Sequence, residues 1–228
     1  MPSRNTIKQY VENGYYHVYN RGVDKRIIFT DDQDYRVFLH LLKYYLSPLE
    51  NQKSHPLTDL TGFIPVRLRI LEPLSDEVDL IAYCLMPNHF HLLIKQKNKD
   101  GITKLLRKIS TIYSMYFNKR NKRVGHLFQG IFKAVNIQEE PYLLHLTRYL
   151  HLNPSELTGM NPVSYPYSSY AYYLGTKKAL WVKPQFILDF FSSSKSLFPK
   201  KINSYQNFVE DYSGNSEEAL STIILEEE

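Results

Sequence analysis

Two apolar runs, Val78 to Leu85 and His89 to Lys95, are separated only by Met86-Pro87-Asn88. So short a link between β-type runs predicts a hairpin of two antiparallel strands. The second run opens with His89-Phe90-His91. Side chains alternate faces along a strand, so His89 and His91 point one way while Phe90 points into the core. Their rings then stand roughly 6–7 Å apart, close enough for one metal ion to bridge them. Two adjacent imidazoles repel each other when protonated, which favours a shared cation. With 8 His in 228 residues such a triplet also arises without function, so the spacing alone does not decide.

The flanking sequence extends the hairpin into an α+β pattern. Tyr15 to Tyr19 reads as a first strand before an Asn20-Arg21-Gly22 turn. Thr30-Asp31-Asp32-Gln33 reads as a capping box, with Thr30 as N-cap and Gln33 at N3. Behind it Tyr35, Phe38, Leu39 and Leu42 repeat at helical spacing. Residues 47–77 hold four prolines and read as a long insertion with one short strand, Val66 to Ile70. Ile102, Leu105, Leu106, Ile109, Ile112, Tyr113, Tyr116 and Phe117 then mark a helix of about four turns. A short strand, Phe132 to Ile137, precedes a helix that starts near Glu140-Pro141 and is expected to stop at Asn153-Pro154, because a residue before proline disfavours helical angles. Two more helices are expected near 184–191 and 204–212. Such an order suits helices packed on an antiparallel sheet, ferredoxin-like or RRM-like. Residues 1–175 read as one catalytic-type domain, and 176–228 as a helical extension with an acidic tail.

Composition narrows the partners. The chain can bury one sizeable core at 43% hydrophobic content, and its one cysteine, Cys84, excludes an intrachain disulfide and a cysteine-based zinc cluster. No run approaches the ~18 apolar residues of a membrane span, and the N-terminus lacks a signal-peptide core, so a soluble cytoplasmic protein without membrane contact is expected. The net charge of +5 is unevenly spread: residues 101–135 hold eight Lys and Arg and no Asp or Glu. Arg107, Lys108, Lys119, Arg120, Lys122, Arg123 and Lys133 are the candidate DNA contacts there. A basic run is often only a solvated helix face, but one interleaved with aromatics also suits phosphate contact and base stacking.

The helix from about 140 to 152 carries His145, Tyr149 and Asn153 at i, i+4 and i+8. At 100° per residue Tyr149 and Asn153 lie within about 40° of each other, on one flank of the Leu143, Leu146 and Leu150 face. A phenol and a carboxamide oxygen there could meet one small site, such as a metal-bound phosphate. Read plainly, Tyr149 is one of 19 tyrosines and Asn before Pro is a common helix terminator.

Cys84-Leu-Met-Pro-Asn-His-Phe-His-Leu-Leu-Ile94 resembles the histidine–hydrophobe–histidine (HUH) motif of the single-strand transposases. Gly125-His-Leu-Phe-Gln-Gly-Ile-Phe-Lys-Ala134 and Leu146-Thr-Arg-Tyr-Leu-His-Leu-Asn-Pro154 resemble later blocks of the REP-associated tyrosine transposases and their IS200-like relatives. So do Tyr16-His-Val-Tyr-Asn-Arg-Gly22 and Tyr165-Pro-Tyr-Ser-Ser-Tyr170, all in the expected order from about residue 14 to 175. The resemblance implies an HUH nuclease core that cuts and rejoins single-stranded DNA beside hairpins with a divalent ion, Mg²⁺ or Mn²⁺. It also implies a bacterial cytoplasmic protein, at the nucleoid when bound to DNA. Position by position, His89 and His91 match the paired metal ligands, Tyr149 the nucleophile and Asn153 the third metal-binding residue. Tyr113 and Tyr116 compete as nucleophiles but lie on the apolar stripe of their own helix. The chain departs from the pattern at Ile131, where Arg is common, at Tyr167, where Trp is frequent, after Pro154, where relatives are more basic, and in the length of the 47–77 insertion.

The residue types fit that chemistry. A phenol of pKa near 10 needs help towards phenolate, and the implied product is a 5′-phosphotyrosine with a free 3′-OH. Two other readings stand beside it. A domesticated hairpin-binding protein would keep fold and basic surface without turnover. A metal hydrolase using activated water would want a carboxylate near the histidines, whereas Asp76 and Asp79 lie at the far end of the hairpin. A monomer and a homodimer are both compatible with the sequence.

Overall fold

The hairpin forms as expected. Strands β2 (Val78–Met86) and β3 (His89–Gln96) pair antiparallel from Val78 opposite Gln96 to Met86 opposite His89, leaving Pro87 and Asn88 as the turn. Strand β1 (Tyr15–Arg21) pairs antiparallel with β3 on one side and with β4 (Lys133–Ile137) on the other, giving the order β2-β3-β1-β4. Helix α1 (Asp32–Leu46) follows β1, and α2 (Gly101–Arg120) follows β3. This is a ferredoxin-like α+β arrangement, as the element order implied. The computed structural model describes residues 10–48, 72–192 and 204–212. The expected strand Val66 to Ile70 and the glutamate-rich end lie outside the described residues.

Strand alternation sorts the side chains into two layers. Tyr16 and Val18 of β1, Phe90, Leu92 and Ile94 of β3, and Leu80, Tyr83 and Leu85 of β2 pack against α1 and α2. Full burial of side chains such as Phe38 and Phe90 contributes about 1.5–3 kcal/mol each. The opposite face carries helix α3 (Glu140–Thr158) on Ile81, Ala82, Cys84, Met86, Leu93 and Ile137. A bulge between Leu80 and Ala82 lets two successive residues, Ile81 and Ala82, serve that second layer.

Three short helices complete the second layer: α4 (Tyr170–Tyr173), α5 (Gln185–Ser192) and α6 (Tyr205–Glu210). Ile187, Tyr205, Phe208 and Val209 share one buried cluster with Leu146, Tyr149 and Leu150 of α3. The C-terminal segment therefore adds to the core beside α3. Residues 181–183 cover the free edge of β2 through a Val182–Leu80 bridge and a Lys183 N–H bond to the Leu80 carbonyl of 2.8 Å. No helix among the described residues is long and apolar enough to cross a membrane.

Two local expectations are corrected. The N-cap of α1 is Asp31, whose side chain accepts from the Asp34 N–H, and not Thr30. Asp34 itself reaches back to accept from both the N–H and the hydroxyl of Thr30, so Asp34 serves the role assigned to Gln33. Helix α3 does not stop at Asn153. It runs through Pro154 and ends at Gly159, which takes the left-handed conformation (φ 69°) and bonds the Ser155 carbonyl. Pro154 costs one backbone hydrogen bond, which the burial of α3 against the sheet offsets.

Candidate functional site

His89 and His91 share the α3 face of β3, while Phe90 is fully buried on the other. Their rings meet edge to face with centroids 4.8 Å apart. Alternation on β1 and β4 brings three more groups to this face. The register sets Arg21 opposite His89 and Tyr19 opposite His91, and Lys133 of β4 lies opposite Tyr19. The Lys133 ammonium sits 5.6 Å from the Tyr19 ring centre.

Hydrogen bonds orient both histidines. The Asn88 amide donates to the Lys25 carbonyl at 3.3 Å, which turns its oxygen towards His89 Nδ1, 2.6 Å away. His89 Nδ1 must then carry the proton, and its Nε2 keeps the lone pair. The turn is itself clamped: the Pro87 carbonyl accepts from Ile28 and Phe29, and the Asn88 carbonyl from Gly22. Gly22 has no alternative at this point, since a Cβ there would lie 2.3 Å from the Arg26 carbonyl oxygen.

His91 is fully buried, and its Nδ1 lies 2.9 Å from Nε2 of His17, equally buried on β1. One proton is shared between those two nitrogens. If His91 donates it, His91 Nε2 presents a lone pair and His17 carries its proton on Nδ1, a buried atom with no hydrogen-bond partner among the described residues. Burial holds all three imidazoles neutral. His17 is pushed down to about 3, with His89 adding repulsion; His89 falls to about 4, with Arg21 adding to the effect; and His91 falls well below the usual range.

Helix α3 supplies the remaining groups. The Tyr149 ring stands edge-on to His91, with centroids 5.6 Å apart, and is only 4% exposed. Asn153 lies one turn further on, and its buried Oδ1 has no hydrogen-bond partner among the described residues. Because α3 continues through Pro154, Asn153 stays on the flank that carries Tyr149. His145 turns instead towards Arg148 and the Phe208 ring. Cys84 also faces this layer, but burial raises its thiol well above the ordinary range, so it is not a thiolate donor.

The competing tyrosines are held on the other side of the sheet. Tyr113 donates to the Ile28 carbonyl at 2.5 Å, and Tyr116 to Asp34 at 2.9 Å. The basic residues divide likewise. Lys119, Lys122 and Arg123 lie at or just beyond the C-terminal end of α2, the end that reaches the Ile28 loop and the Pro87 turn, whereas Arg107 and Lys108 sit nearer its start. Lys108 rests over the Tyr45 ring, and Arg123 donates to Asn118 at 2.9 Å. Arg120 is engaged by two carboxylates, Asp31 at 2.5 Å and fully buried Asp34 at 2.6 Å. Of the seven basic candidates, Lys133 faces the histidine layer directly.

Sequence reading did not single out His17, Tyr19 or Arg21 as site residues. Their period-2 spacing marks one strand face, but only the register against β3 shows what that face meets.

With this geometry in place, residues 73–153 match the model of a family described as Transposase IS200 like. This segment of the chain is similar to the IS200-like transposases. The matched segment takes in β2, β3, α2, β4 and α3 as far as Asn153, so His89, His91, Tyr149 and Asn153 all fall within it. A solved structure described as that of a REP-associated tyrosine transposase bound to a REP hairpin matches with a TM-score of 0.51 and 12% identity, over 79% of this chain and 92% of the other. At that identity the likeness establishes the fold. No curated protein matches the chain.

The candidate residues would meet a divalent ion through neutral donors alone. Among the described residues no cluster of three or more His, Cys, Asp and Glu side chains is placed to hold a metal. The candidate donors are two neutral imidazoles and one amide, and the buried Asn153 Oδ1 is an acceptor without a protein donor among the described residues. Neutral donors would leave the full charge of the ion to act on phosphate.

Proposed function

We propose that the chain cleaves and rejoins single-stranded DNA at hairpin-containing sites, with Tyr149 as nucleophile and His89, His91 and Asn153 holding Mg²⁺ or Mn²⁺. The observation that carries this reading is the edge-on contact of Tyr149 with His91, which sets a phenol beside the imidazole pair. The family of residues 73–153 supplies the setting, a transposase-type function on DNA. That the structural neighbour was solved on a REP hairpin supports a hairpin as the form of DNA.

When bound, the ion would polarise the scissile phosphate and offset the charge that develops in attack. The chain's own groups do the rest. Asn88 fixes the His89 tautomer, and His17 holds the His91 ring through its Nδ1, which leaves Nε2 to the ion when His91 donates the shared proton. Lys133 and Arg21 supply positive charge on the same face for the DNA backbone. Tyr149 Oη forms the bond to phosphorus as the bond from phosphorus to the 3′ oxygen breaks, the phenol gives up its proton to water, and the leaving 3′ oxygen takes one up to become the 3′-OH. A later 3′-OH reverses the exchange without an external energy source, because each step replaces one phosphodiester with another.

The test is a denaturing gel of the protein with Mn²⁺ and labelled hairpin DNA. The expected result is a covalent protein–DNA band that disappears in Tyr149→Phe. Binding without an adduct in the unaltered protein would sink this reading in favour of a hairpin-binding protein. Cleavage surviving in Tyr149→Phe would instead point to an activated water.

A further inference from the structure

Away from the histidine face, a cleft of about 490 Å³ opens between α1 and the segment 166–181, with Tyr83 of edge strand β2 on its wall. It lies on the α1 side of the sheet, since Tyr83 belongs to the layer packed on α1 and α2. Its size falls within the range of small-ligand sites. Its chemistry is lopsided: Arg36, Lys43, Lys177 and Lys178 line it and, among the described residues, no carboxylate does. Arg36 is paired with Asp32, but Lys43, Lys177 and Lys178 form no ion pair with any described residue. The wall between these ammonium groups is aromatic. Trp181 stacks on Tyr83 at 5.6 Å, and half-buried Tyr172 meets Trp181 edge to face at 6.0 Å.

We propose that this cleft is a second nucleic-acid subsite, which takes one or two nucleotides of a DNA strand, with phosphates on Lys43, Lys177 and Lys178 and a base against Tyr172 and the edge of Trp181. Three cations with no ion-pair partner or carboxylate beside them among the described residues repel one another and are stabilised by a polyanion. An aromatic wall beside them suits a base better than a bare phosphate. Strand β2 is an outer strand of the four, and residues 181–183, which run along its edge, follow directly on the wall of the cleft. The proposal rests on the DNA reading above and extends it to strand beyond the cut site.

Trp181 is the chain's one tryptophan, so its fluorescence reports this cleft alone. The full-length protein carrying Tyr149→Phe is titrated in EDTA with an oligothymidylate of about 10 nucleotides, which removes cleavage from the measurement. Saturable quenching is expected. Lys177→Ala with Lys178→Ala should weaken binding at least about 10-fold and lower the log–log salt slope by about 1.4, or 0.7 per phosphate contact. Unchanged Trp181 emission at saturation overturns the proposal, and so does an unchanged salt slope in the double variant. Equal quenching by inorganic pyrophosphate overturns the base contact. Loss of quenching while the unaltered protein still forms its Mn²⁺-dependent adduct removes the cleft and leaves the strand-transfer reading standing. Quenching without any adduct does the reverse.

Discussion

Tyr149 and His91 meet edge to face across the junction of α3 and β3, their ring centres 5.6 Å apart and their planes at 81°. The contact buries a candidate nucleophile against a candidate metal ligand, and both belong to the layer that the C-terminal helices help to close. Removing the hydroxyl alone should separate chemistry from folding. Tyr149→Phe is expected to abolish the covalent adduct while changing unfolding free energy by no more than about 1.5 kcal/mol, the size of one hydrogen bond. Urea melts and the adduct gel on the same preparation check both halves. A variant that loses the adduct only because it unfolds would remove the case for a nucleophile.

His17 offers a test of how His91 is oriented. Its Nε2 lies 2.9 Å from His91 Nδ1, so replacing it frees that ring to rotate or change tautomer. His17→Ala should weaken Mn²⁺ binding by about 10–100-fold, the usual effect of losing the partner of a ligating imidazole. Mn²⁺ electron paramagnetic resonance reads this without any DNA. Unaltered affinity would mean that His17 is packing only.

Acid should destabilise the protein through its buried neutral histidines. His151 is enclosed between the Tyr205 hydroxyl at 2.7 Å and the Ser169 hydroxyl at 2.8 Å, and burial pushes it down to about 3. The unfolded chain binds that proton near pH 6.5, so the stability is fully present above 6.5 and is lost as pH falls towards 3. Each such histidine contributes a slope of up to about 1.4 kcal/mol per pH unit in that window. Melts between pH 4 and 7 should therefore slope less steeply in His151→Asn, even if that variant starts from a lower stability. An identical slope would show that His151 does not titrate on unfolding.

Arg120 is expected to matter for folding rather than for DNA. Its guanidinium balances fully buried Asp34, which also accepts from Thr30 and Tyr116. Arg120→Ala should cost about 2–4 kcal/mol by leaving a buried carboxylate under-compensated. It should leave the salt dependence of DNA binding unchanged, whereas Lys133→Ala should lower the slope by about 0.7. A reduced slope in Arg120→Ala would return this residue to the DNA surface.

The sequence made the local chemistry readable and left the assembly unread. The Pro-Asn turn and the alternation of His89-Phe90-His91 gave the hairpin and its face, because both depend on neighbours in the chain. The flank shared by Tyr149 and Asn153 followed from helix geometry. Pro154 was read as a stop because the local preference is real, but packing of α3 against β2 overrode it. His17 and Arg21 stand in the Tyr16–Gly22 motif with no role legible from the sequence, since only long-range register puts them beside His91 and His89. The seven basic residues looked alike in sequence, and tertiary contacts tie Arg120 to two carboxylates while placing Lys133 on the histidine layer.

Tyr205 and Phe208 pack beside α3 from a helix that emerges more than fifty residues after His151. A growing polypeptide exposes His89, His91, Tyr149 and Asn153 well before it supplies that cover. The layer around the candidate nucleophile is therefore finished only after residues 205–210 have left the ribosome, and a chain short of them lacks part of the packing around Tyr149.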